Sequence, residues 1–353
     1  MGKNKNKNKN KKEELPLVSL CTPTFNRRPF IKQMIHCFEI QDYPKDKIEW
    51  IIVDDGTDKI GDLVKHIPQV KYYAYDEKMT LGKKRNLMHE KSTGDILVYM
   101  DDDDYYPKER ISHSVYMLQK NKNILVGGSS EMYIYFKHIK QMWQFGPYFK
   151  NHATAGTFAF KRKLLEETKY NEEACLAEEK EFLKDYKYDM VQFDPYKTIL
   201  VLSHEHNTFD KRKLIKNGEN KVQKISDVTL DRFFVNDTES KDFFINKIDN
   251  LLNDYEPGKP EMKPDVLKQT KEIEEKREKE LVERMNKEMQ FNNSPLLVKL
   301  DNGDTRQLTN GEIKQLFNNL EKKLNELQNQ VKDLTEQRDS LQRKLDFKNR
   351  NKR

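Results

Sequence analysis

Cysteine and long apolar runs are scarce in this 353-residue sequence. Its three cysteines are odd in number, far apart and outside any Cys-x-x-Cys pair, which argues against a disulfide framework and a zinc site. No apolar stretch approaches the ~18 residues of a membrane span, and no apolar segment follows the Lys/Asn-rich start of the chain. We therefore expect a soluble protein without a membrane span, in a reducing compartment such as the cytoplasm.

Positive charge is in small excess outside the N-terminus. The formal net charge is +6, and residues 1–14 carry six Lys and two Glu, so these residues account for +4 and the rest for +2. This balance does not indicate a nucleic-acid partner. We expect residues 1–14 to be a disordered tail, because Lys and Asn cannot bury enough surface to offset the entropy of ordering.

Short apolar runs alternate with helical patterns in the first third of the chain. The predicted strands are 17–21, 50–53, 70–75 and 96–100, and the predicted helices are 30–41, 60–67, 83–91 and 107–118. This alternation indicates the α/β class, with a mostly parallel sheet and helices on both of its faces. Further strands are expected after residue 124, with helices at 161–168 and 177–186.

Four consecutive carboxylates, Asp101 to Asp104, follow the apolar run 96–100. The run is typical of a buried strand, so the acids lie at its carboxyl end, where open α/β sheets bind ligands. Adjacent carboxylates repel one another and are costly to desolvate, and Mg²⁺ or Mn²⁺ is the simplest partner that stabilises them. A solvated acidic turn is the alternative, which the buried strand disfavours.

The loop after the first predicted strand excludes two classes of nucleotide-binding enzyme. Its residues are Thr22-Pro23-Thr24-Phe25-Asn26. A dinucleotide-dependent dehydrogenase would have Gly-x-Gly-x-x-Gly at this position. A sugar nucleotidyltransferase would have a Gly-rich basic loop to hold a triphosphate, and this is also absent.

Four runs, taken together in order and spacing, resemble the family 2 glycosyltransferases of GT-A fold. They are VSLCTPTFNR at 18–27, IIVDDGT at 51–57, GKKRN at 82–86 and GDILVYMDDDD at 94–104. The resemblance covers roughly residues 15–210. It implies a Rossmann-like, mostly parallel sheet flanked by helices, and an inverting transfer of a sugar from a nucleotide-sugar.

The resemblance also implies which residues bind the donor. Asp55 would accept a base N–H with Asp54 beside it, although an Asx turn with Gly56 is the alternative for both. Arg85 would approach the nucleotide or diphosphate, assisted by Lys84; an exposed helix charge is the alternative. The loop residues Pro23, Thr24 and Phe25 would lie against the nucleoside, and Gly156 would lie in a small-residue loop beside the donor sugar and acceptor.

The acid quartet corresponds to the DxD motif of this family. Asp101 and Asp103 would be the pair that holds Mn²⁺ or Mg²⁺, with Asp103 the main ligand; since every position is Asp, Asp102 remains an alternative. His204 lies where some GT-A enzymes place a metal-binding or phosphate-binding histidine. His206, or a purely structural histidine, is the alternative.

The segment Glu178-Glu179 resembles the acidic pair of the family whose second member is the general base. Glu179 would take the proton of the acceptor hydroxyl, and Glu178 is the alternative base. Two acids in the first turn of a helix can also simply stabilise the helix dipole. The pattern leaves these readings open.

The sequence after residue 230 predicts separate elements. We expect a transferase domain at 15–230, a helical linker at 231–310 with a hairpin at 296–308, and a basic tail at 348–353. Residues 311–347 place apolar side chains at a strict four-three spacing, with only Arg338 interrupting the seam, which is typical of a coiled coil. A homo-oligomer is therefore expected.

The sequence favours a metal-dependent inverting glycosyltransferase. Its partners would be a nucleotide-sugar donor, with a UDP-sugar first among the choices, and a hydroxyl of a glycan or protein acceptor. The alternative is a coiled-coil assembly or scaffold protein with a degenerate, nucleotide-sugar-binding transferase domain. The sugar, base and acceptor depend on loops after residue 140, which the sequence does not define.

Overall fold

The computed structural model describes residues 14–293, 297–299 and 304–350, and the chain divides into two compact units after Glu274. The predicted N-terminal tail, apart from Glu14, lies outside the described residues. So do the predicted hairpin turn at Asn302-Gly303 and the last three residues of the predicted basic tail.

Alternating strands and helices begin the first unit, as the sequence predicted. Strands β1–β4 lie side by side in one sheet, with the helices between them along the chain. In order these elements are β1 (Val18–Thr24), α1 (Arg28–Glu39), β2 (Ile48–Asp54), α2 (Gly61–Val64), β3 (Val70–Ala74), α3 (Leu81–Lys91), β4 (Ile96–Tyr99) and α4 (Arg110–Lys120).

Shorter elements complete the first unit. They are β5 (Val126–Gly128), β6 (Met132–Phe136), β7 (Gln141–Phe145), β8 (Ala159–Lys161), α5 (Glu179–Phe182), β9 (Met190–Gln192), β10 (Leu200–Ser203), β11 (Gln223–Ile225), α6 (Thr238–Asp242) and α7 (Ile248–Asn253). The main sheet has the order β3-β2-β1-β4-β8-β5-β9, and a second sheet has the order β10-β6-β7-β11. In the main sheet only β8 runs antiparallel to its neighbours.

The main sheet is mostly parallel because its central strands are apolar on both faces. Every residue of β2 and β4 is buried, as expected for strands covered by helices on both sides. Helix α1 packs an apolar stripe on the sheet, where Phe38 stacks on Trp50 with ring centroids 4.6 Å apart. The predicted α/β class, with a GT-A-like mostly parallel sheet, is confirmed.

The strand register brings the sequence motifs to one edge. Thr24 of β1 pairs with Asp54 of β2, and Cys21 pairs with Tyr99 of β4. The loops that follow these parallel strands therefore meet at the carboxyl edge of the sheet. The acid quartet also contacts the second sheet, because Asp104 accepts the Leu202 N–H at 3.0 Å.

Several predicted boundaries need correction. The predicted helix 161–168 is a 3₁₀ turn at Arg162–Glu166, and the predicted helix 177–186 is reduced to the single turn α5. The first unit also continues past the predicted domain end at residue 230. Apolar side chains between 233 and 252 belong to its core, which is why this segment is not a linker: Phe233, Phe234, Phe244, Ile248 and Leu252.

The remaining elements are α8 (Pro264–Asn293), β12 (Leu297–Lys299), β13 (Thr305–Gln307) and α9 (Asn310–Arg350). Strands β12 and β13 pair antiparallel. Helix α9 is continuous, and apolar residues of its seam are exposed, among them Phe317 and Leu334, each with 63% of its surface accessible, whereas Ile313 is half-buried. Within the described ranges, no helix is both long and apolar enough to cross a bilayer.

Candidate active site

An acidic cleft of about 320 Å³ opens at the carboxyl ends of β1 and β4. All four quartet carboxylates line it, and so do the cations Arg27, Lys84, Arg85, Lys211 and Lys263. Pro23, Phe25, Gly156 and Glu178 lie in its walls. The structure therefore brings most of the predicted donor-binding residues together.

The four acids of the quartet have different partners. Asp103 Oδ2 lies 3.3 Å from both Arg27 Nη2 and His204 Nε2, whereas Asp102 Oδ1 is 3.4 Å from Arg27 Nε. Asp101 is the most exposed of the four, at 28% of its side chain, and faces Arg85 at 3.9 Å. Its position therefore suits contact with a ligand.

Burial disfavours the negative charge of the quartet carboxylates. It raises the pKa of Asp102 to about 7 and that of Asp104 to about 8, with the charge of Asp103 adding to both shifts, and it also raises the pKa of Asp101. Burial would likewise raise the pKa of Asp103, but Arg27 and His204 hold it well below its usual range. Asp103 therefore differs from its three neighbours, whose pKa values are raised.

His204 reaches the quartet and His206 does not. The His204 side chain is 1% exposed, its Nε2 atom also lies 2.8 Å from Asn207 Nδ2, and its Nδ1 atom has no hydrogen-bond partner in the described part of the chain. Burial lowers the pKa of His204 to about 4, so its ring is neutral at pH 7. His206 instead stacks near Tyr255, at 6.3 Å between ring centroids.

The two acids after β2 have separate roles. Asp54 Oδ1 accepts the Gly56 N–H at 2.9 Å, and its Oδ2 accepts the Ile60 N–H and the Tyr72 hydroxyl. This is the Asx turn that the sequence left open. Asp55, whose side chain is fully buried, accepts from Lys84 Nζ at 2.7 Å and from the Met79 N–H at 2.5 Å. Lys84 also donates to the Thr24 carbonyl, at 3.4 Å.

Arg85 and Glu178 form a buried ion pair. The Arg85 Nε to Glu178 Oε1 distance is 2.7 Å, and the two side chains are 3% and 4% exposed. The Arg85 guanidinium also stacks over Tyr99, 4.4 Å from the ring centroid. Glu179 begins α5 directly after Glu178 and is half-buried. Glu178 and Glu179 therefore differ in environment, because Glu178 forms the buried ion pair with Arg85.

Gly156 approaches the quartet so closely that a side chain would collide. A Cβ atom added there would lie 3.0 Å from Asp101 Oδ2. The Gly156 carbonyl accepts from Tyr106, whose hydroxyl oxygen accepts the Asp101 N–H at 2.8 Å. Small size at this position therefore keeps the cleft open beside Asp101.

Sequence reasoning missed Arg27 and Lys263 as lining residues. Arg27 closes the quoted run 18–27, so its place beside the first loop was a usable signal. Lys263 comes from a Pro-rich stretch that offered none. It is 7% exposed, and burial, aided by the Arg27 charge, holds its pKa well below the usual value.

Comparison with known proteins identifies a family domain. Residues 19–168 match the model described as glycosyl transferase family 2. An uncharacterized glycosyltransferase of Haemophilus influenzae is 27% identical over 120 residues, which are 33% of this chain and 47% of that protein. Glycosyltransferase AglE of Haloferax volcanii is 30% identical over 125 residues, 33% of this chain and 40% of that protein.

A third curated relative is the poly(ribitol-phosphate) beta-N-acetylglucosaminyltransferase TarS of Staphylococcus aureus, 26% identical over 116 residues, 29% of this chain and 19% of that protein. The matched regions thus span less than half of each of these three relatives. Among solved structures, a mannosyltransferase from Pyrobaculum calidifontis with GDP-Man and Mn²⁺ gives a TM-score of 0.45 at 16% identity, covering 70% of this chain and 74% of that one. S. aureus TarS 1–349 with UDP-GlcNAc gives 0.42 at 16% identity, covering 83% and 97%.

Proposed function

We propose that this chain, whose residues 19–168 match the model of glycosyl transferase family 2, is a glycosyltransferase that transfers a sugar, with inversion, from a nucleotide-sugar to a hydroxyl of a glycan or protein. One observation carries the proposal: carboxylates and cations converge on a single cleft at the carboxyl edge of the sheet. The lining of this cleft supports an enzyme over the degenerate-scaffold alternative, because it contains acids and cations of the kinds that the chemistry needs.

A UDP-sugar is the donor that we propose. Asp55 is hydrogen-bonded to Lys84, which lines the cleft, and each of its carboxylate oxygens can accept a second hydrogen bond, such as one from the imide N–H of uracil. The name of TarS, an N-acetylglucosaminyltransferase, supports an N-acetylhexosamine as the first sugar to test. The acceptor remains a hydroxyl of unspecified glycan or protein.

We propose that Mn²⁺ or Mg²⁺ binds at Asp103 with Asp101 and His204. No group of three or more His, Cys, Asp or Glu is already arranged around a common point in the ranges that the structure describes. The donor set nevertheless fits in kind, because Asp101 and Asp103 offer carboxylate oxygens in the cleft and the imidazole nitrogen Nε2 of His204 lies 3.3 Å from Asp103 Oδ2. When bound, such an ion neutralises the leaving diphosphate.

Glu179 is the general base in this proposal, and Glu178 is a positioning residue. The acceptor oxygen attacks C1 of the donor sugar while the Glu179 carboxylate takes its proton, and the C1–O bond breaks with its electron pair leaving on the nucleoside diphosphate. The Glu178 carboxylate is already paired with Arg85, which supports the assignment of Glu178 as a positioning residue. Glu179 follows it directly in the chain, begins α5 and is half-buried.

A donor screen tests the proposed activity. The full chain is incubated with UDP-, GDP- and dTDP-sugars, in Mn²⁺ and separately in EDTA, and released nucleoside diphosphate is measured. We expect hydrolysis of a UDP-sugar that EDTA abolishes. Turnover that survives EDTA would refute the metal proposal, and no release from any donor, with UDP failing to raise the melting temperature, would refute the donor proposal.

We further propose that α9 self-associates through its seam. Phe317, Leu320, Leu324 and Leu327 expose between 49% and 63% of their surface, so a lone helix would leave a long apolar stripe in water. Light scattering on the full chain is the test: an oligomer is expected at tens of micromolar, and a monomer at that concentration would refute the coiled coil.

A further inference from the structure

The segment 255–266, here called the strap, returns to the cleft from far along the chain. It lies outside the family match at 19–168. Asn26 Nδ2 donates to the Pro257 carbonyl at 2.8 Å, and Arg27 Nη1 donates to the Gly258 carbonyl at 3.5 Å. The Tyr255 hydroxyl donates to Asp58 at 2.8 Å. The strap is therefore attached to the loops that follow β1 and β2.

The close approach of the strap depends on a glycine. A Cβ atom at Gly258 would lie 2.8 Å from His206 Nδ1 and 2.9 Å from the Asn26 carbonyl oxygen. At the other end of the strap Lys78 pairs with Asp265. These contacts hold the residue between them, Lys263, against the cleft.

Lys263 is a buried cation whose only hydrogen-bond partner among the described residues is neutral. Its ammonium donates to Thr208 Oγ1 at 2.9 Å; the charges of Asp102 and Asp103 act on it, but among the described residues it forms no ion pair within 4.0 Å. Lys84 and Arg85, by contrast, each have a carboxylate oxygen at 2.7 Å. A desolvated ammonium that lacks a direct counter-charge is unfavourable unless an anion binds.

The position of Lys263 indicates which part of the donor it meets. The acidic cleft connects to a smaller cavity that Met79 and Val266 line, and Lys263 lines both spaces. Met79 is hydrogen-bonded to Asp55, the residue proposed to bind the base. Lys263 thus lies between the proposed base site and the acid quartet, where a nucleoside diphosphate carries its phosphates.

We infer that Lys263 binds the diphosphate of the nucleotide-sugar, and that the strap is a wall of the donor site supplied by sequence outside the family match. This inference rests on the proposed function. The lysine ammonium donates charge-assisted hydrogen bonds to phosphate oxygens, and the loss of one such bond weakens binding by at least about tenfold.

Calorimetry on the full chain with saturating Mg²⁺ tests the inference with three probes: UDP, inorganic pyrophosphate and uridine. Lys263→Met removes the ammonium, which lies 5.7 Å from the centroid of the Phe25 ring, and keeps a flexible aliphatic side chain. Lys263→Arg retains the charge. Lys268→Met is the matched control, because this α8 lysine is 80% exposed. Lys263→Gln replaces the methionine variant if circular dichroism shows that the latter is unfolded.

The expected result is that Lys263→Met binds UDP and pyrophosphate at least ~10-fold more weakly but uridine within twofold of the unmodified chain. Lys263→Arg and Lys268→Met should keep near-normal affinity for all three. Unchanged affinity of Lys263→Met for UDP and pyrophosphate would overturn the inference while leaving the proposed function intact. An equal loss of uridine binding would also overturn it, by showing a structural role. Failure of the unmodified chain to bind UDP or pyrophosphate would overturn both proposals.

Discussion

Replacing Glu178 by Gln should destabilise the first unit, because it leaves a buried cation without its closest carboxylate. Arg85 is 3% exposed, and its next carboxylate, Asp101, is 3.9 Å away. Its Nη1 atom has no hydrogen-bond partner in the described part of the chain. Glu178 therefore supplies the main direct counter-charge for Arg85.

The expected loss of unfolding free energy follows from the burial of Arg85 and Glu178. Removing one partner of a buried ion pair costs about 3–5 kcal/mol of unfolding free energy. The Gln oxygen can still accept the Arg85 Nε–H, which restores about 1 kcal/mol. We expect a net loss of about 2–4 kcal/mol, equivalent to at least about 4 °C in melting temperature for a unit of this size.

Urea denaturation of Glu178→Gln, without nucleotide or metal, measures this loss. Glu179→Gln is the matched control: its unfolding free energy should fall by no more than about 1 kcal/mol, because Glu179 is half-buried whereas Glu178 is buried. Its transfer activity should nevertheless be abolished while UDP-sugar binding persists, because the proposed base acts on the acceptor.

Two outcomes would contradict this reasoning. If Glu178→Gln unfolds within about 0.5 kcal/mol of the unmodified chain, the ion pair is not a structural support. If Glu178→Gln is stable and inactive while Glu179→Gln is active, Glu178 is the base and the family register is displaced by one residue.

Three further predictions concern other parts of the chain. Asp103→Asn should reduce sugar transfer at least ~100-fold, because it removes the charge of the proposed main metal ligand with little change in shape. If this variant keeps near-normal activity that still requires a metal ion, another acid is the main metal ligand. Burial lowers the pKa of His89 to about 3 from 6.5, so its contribution to stability is complete above pH 6.5 and falls below it by up to about 1.4 kcal/mol per pH unit until pH 3. His89→Gln should flatten the urea stability profile between pH 7 and 5, and an unchanged slope would refute this. Leu324→Glu should make the full chain monomeric in light scattering, whereas Gln328→Glu should not; retention of the oligomer by Leu324→Glu would show that association does not use the α9 seam.

The sequence predicted the edge of the sheet that carries the site, because apolar strands and the polar loops after them are local patterns. It did not separate neighbouring acids. Asp54 and Asp55 are adjacent, yet one caps a turn and the other contacts Lys84. Successive side chains of a strand point to opposite faces, but tertiary packing decides which residue faces the cleft. Glu178 differs from Glu179 for the same reason: the partner, Arg85, is 93 residues away.

The position of the strap could not be predicted from local sequence patterns, because its Pro257 contacts Asn26, which is 231 residues away in the chain. A stretch with three prolines and no apolar periodicity is typical of a linker. The same composition also suits an extended chain whose carbonyls accept hydrogen bonds from a neighbouring loop, as the Pro257 and Gly258 carbonyls do here. Ending the chain at residue 259 would remove both Lys263 and Asp265, whereas the compact unit continues to Glu274. The compact unit that contains the cleft therefore extends past the end of the α/β pattern.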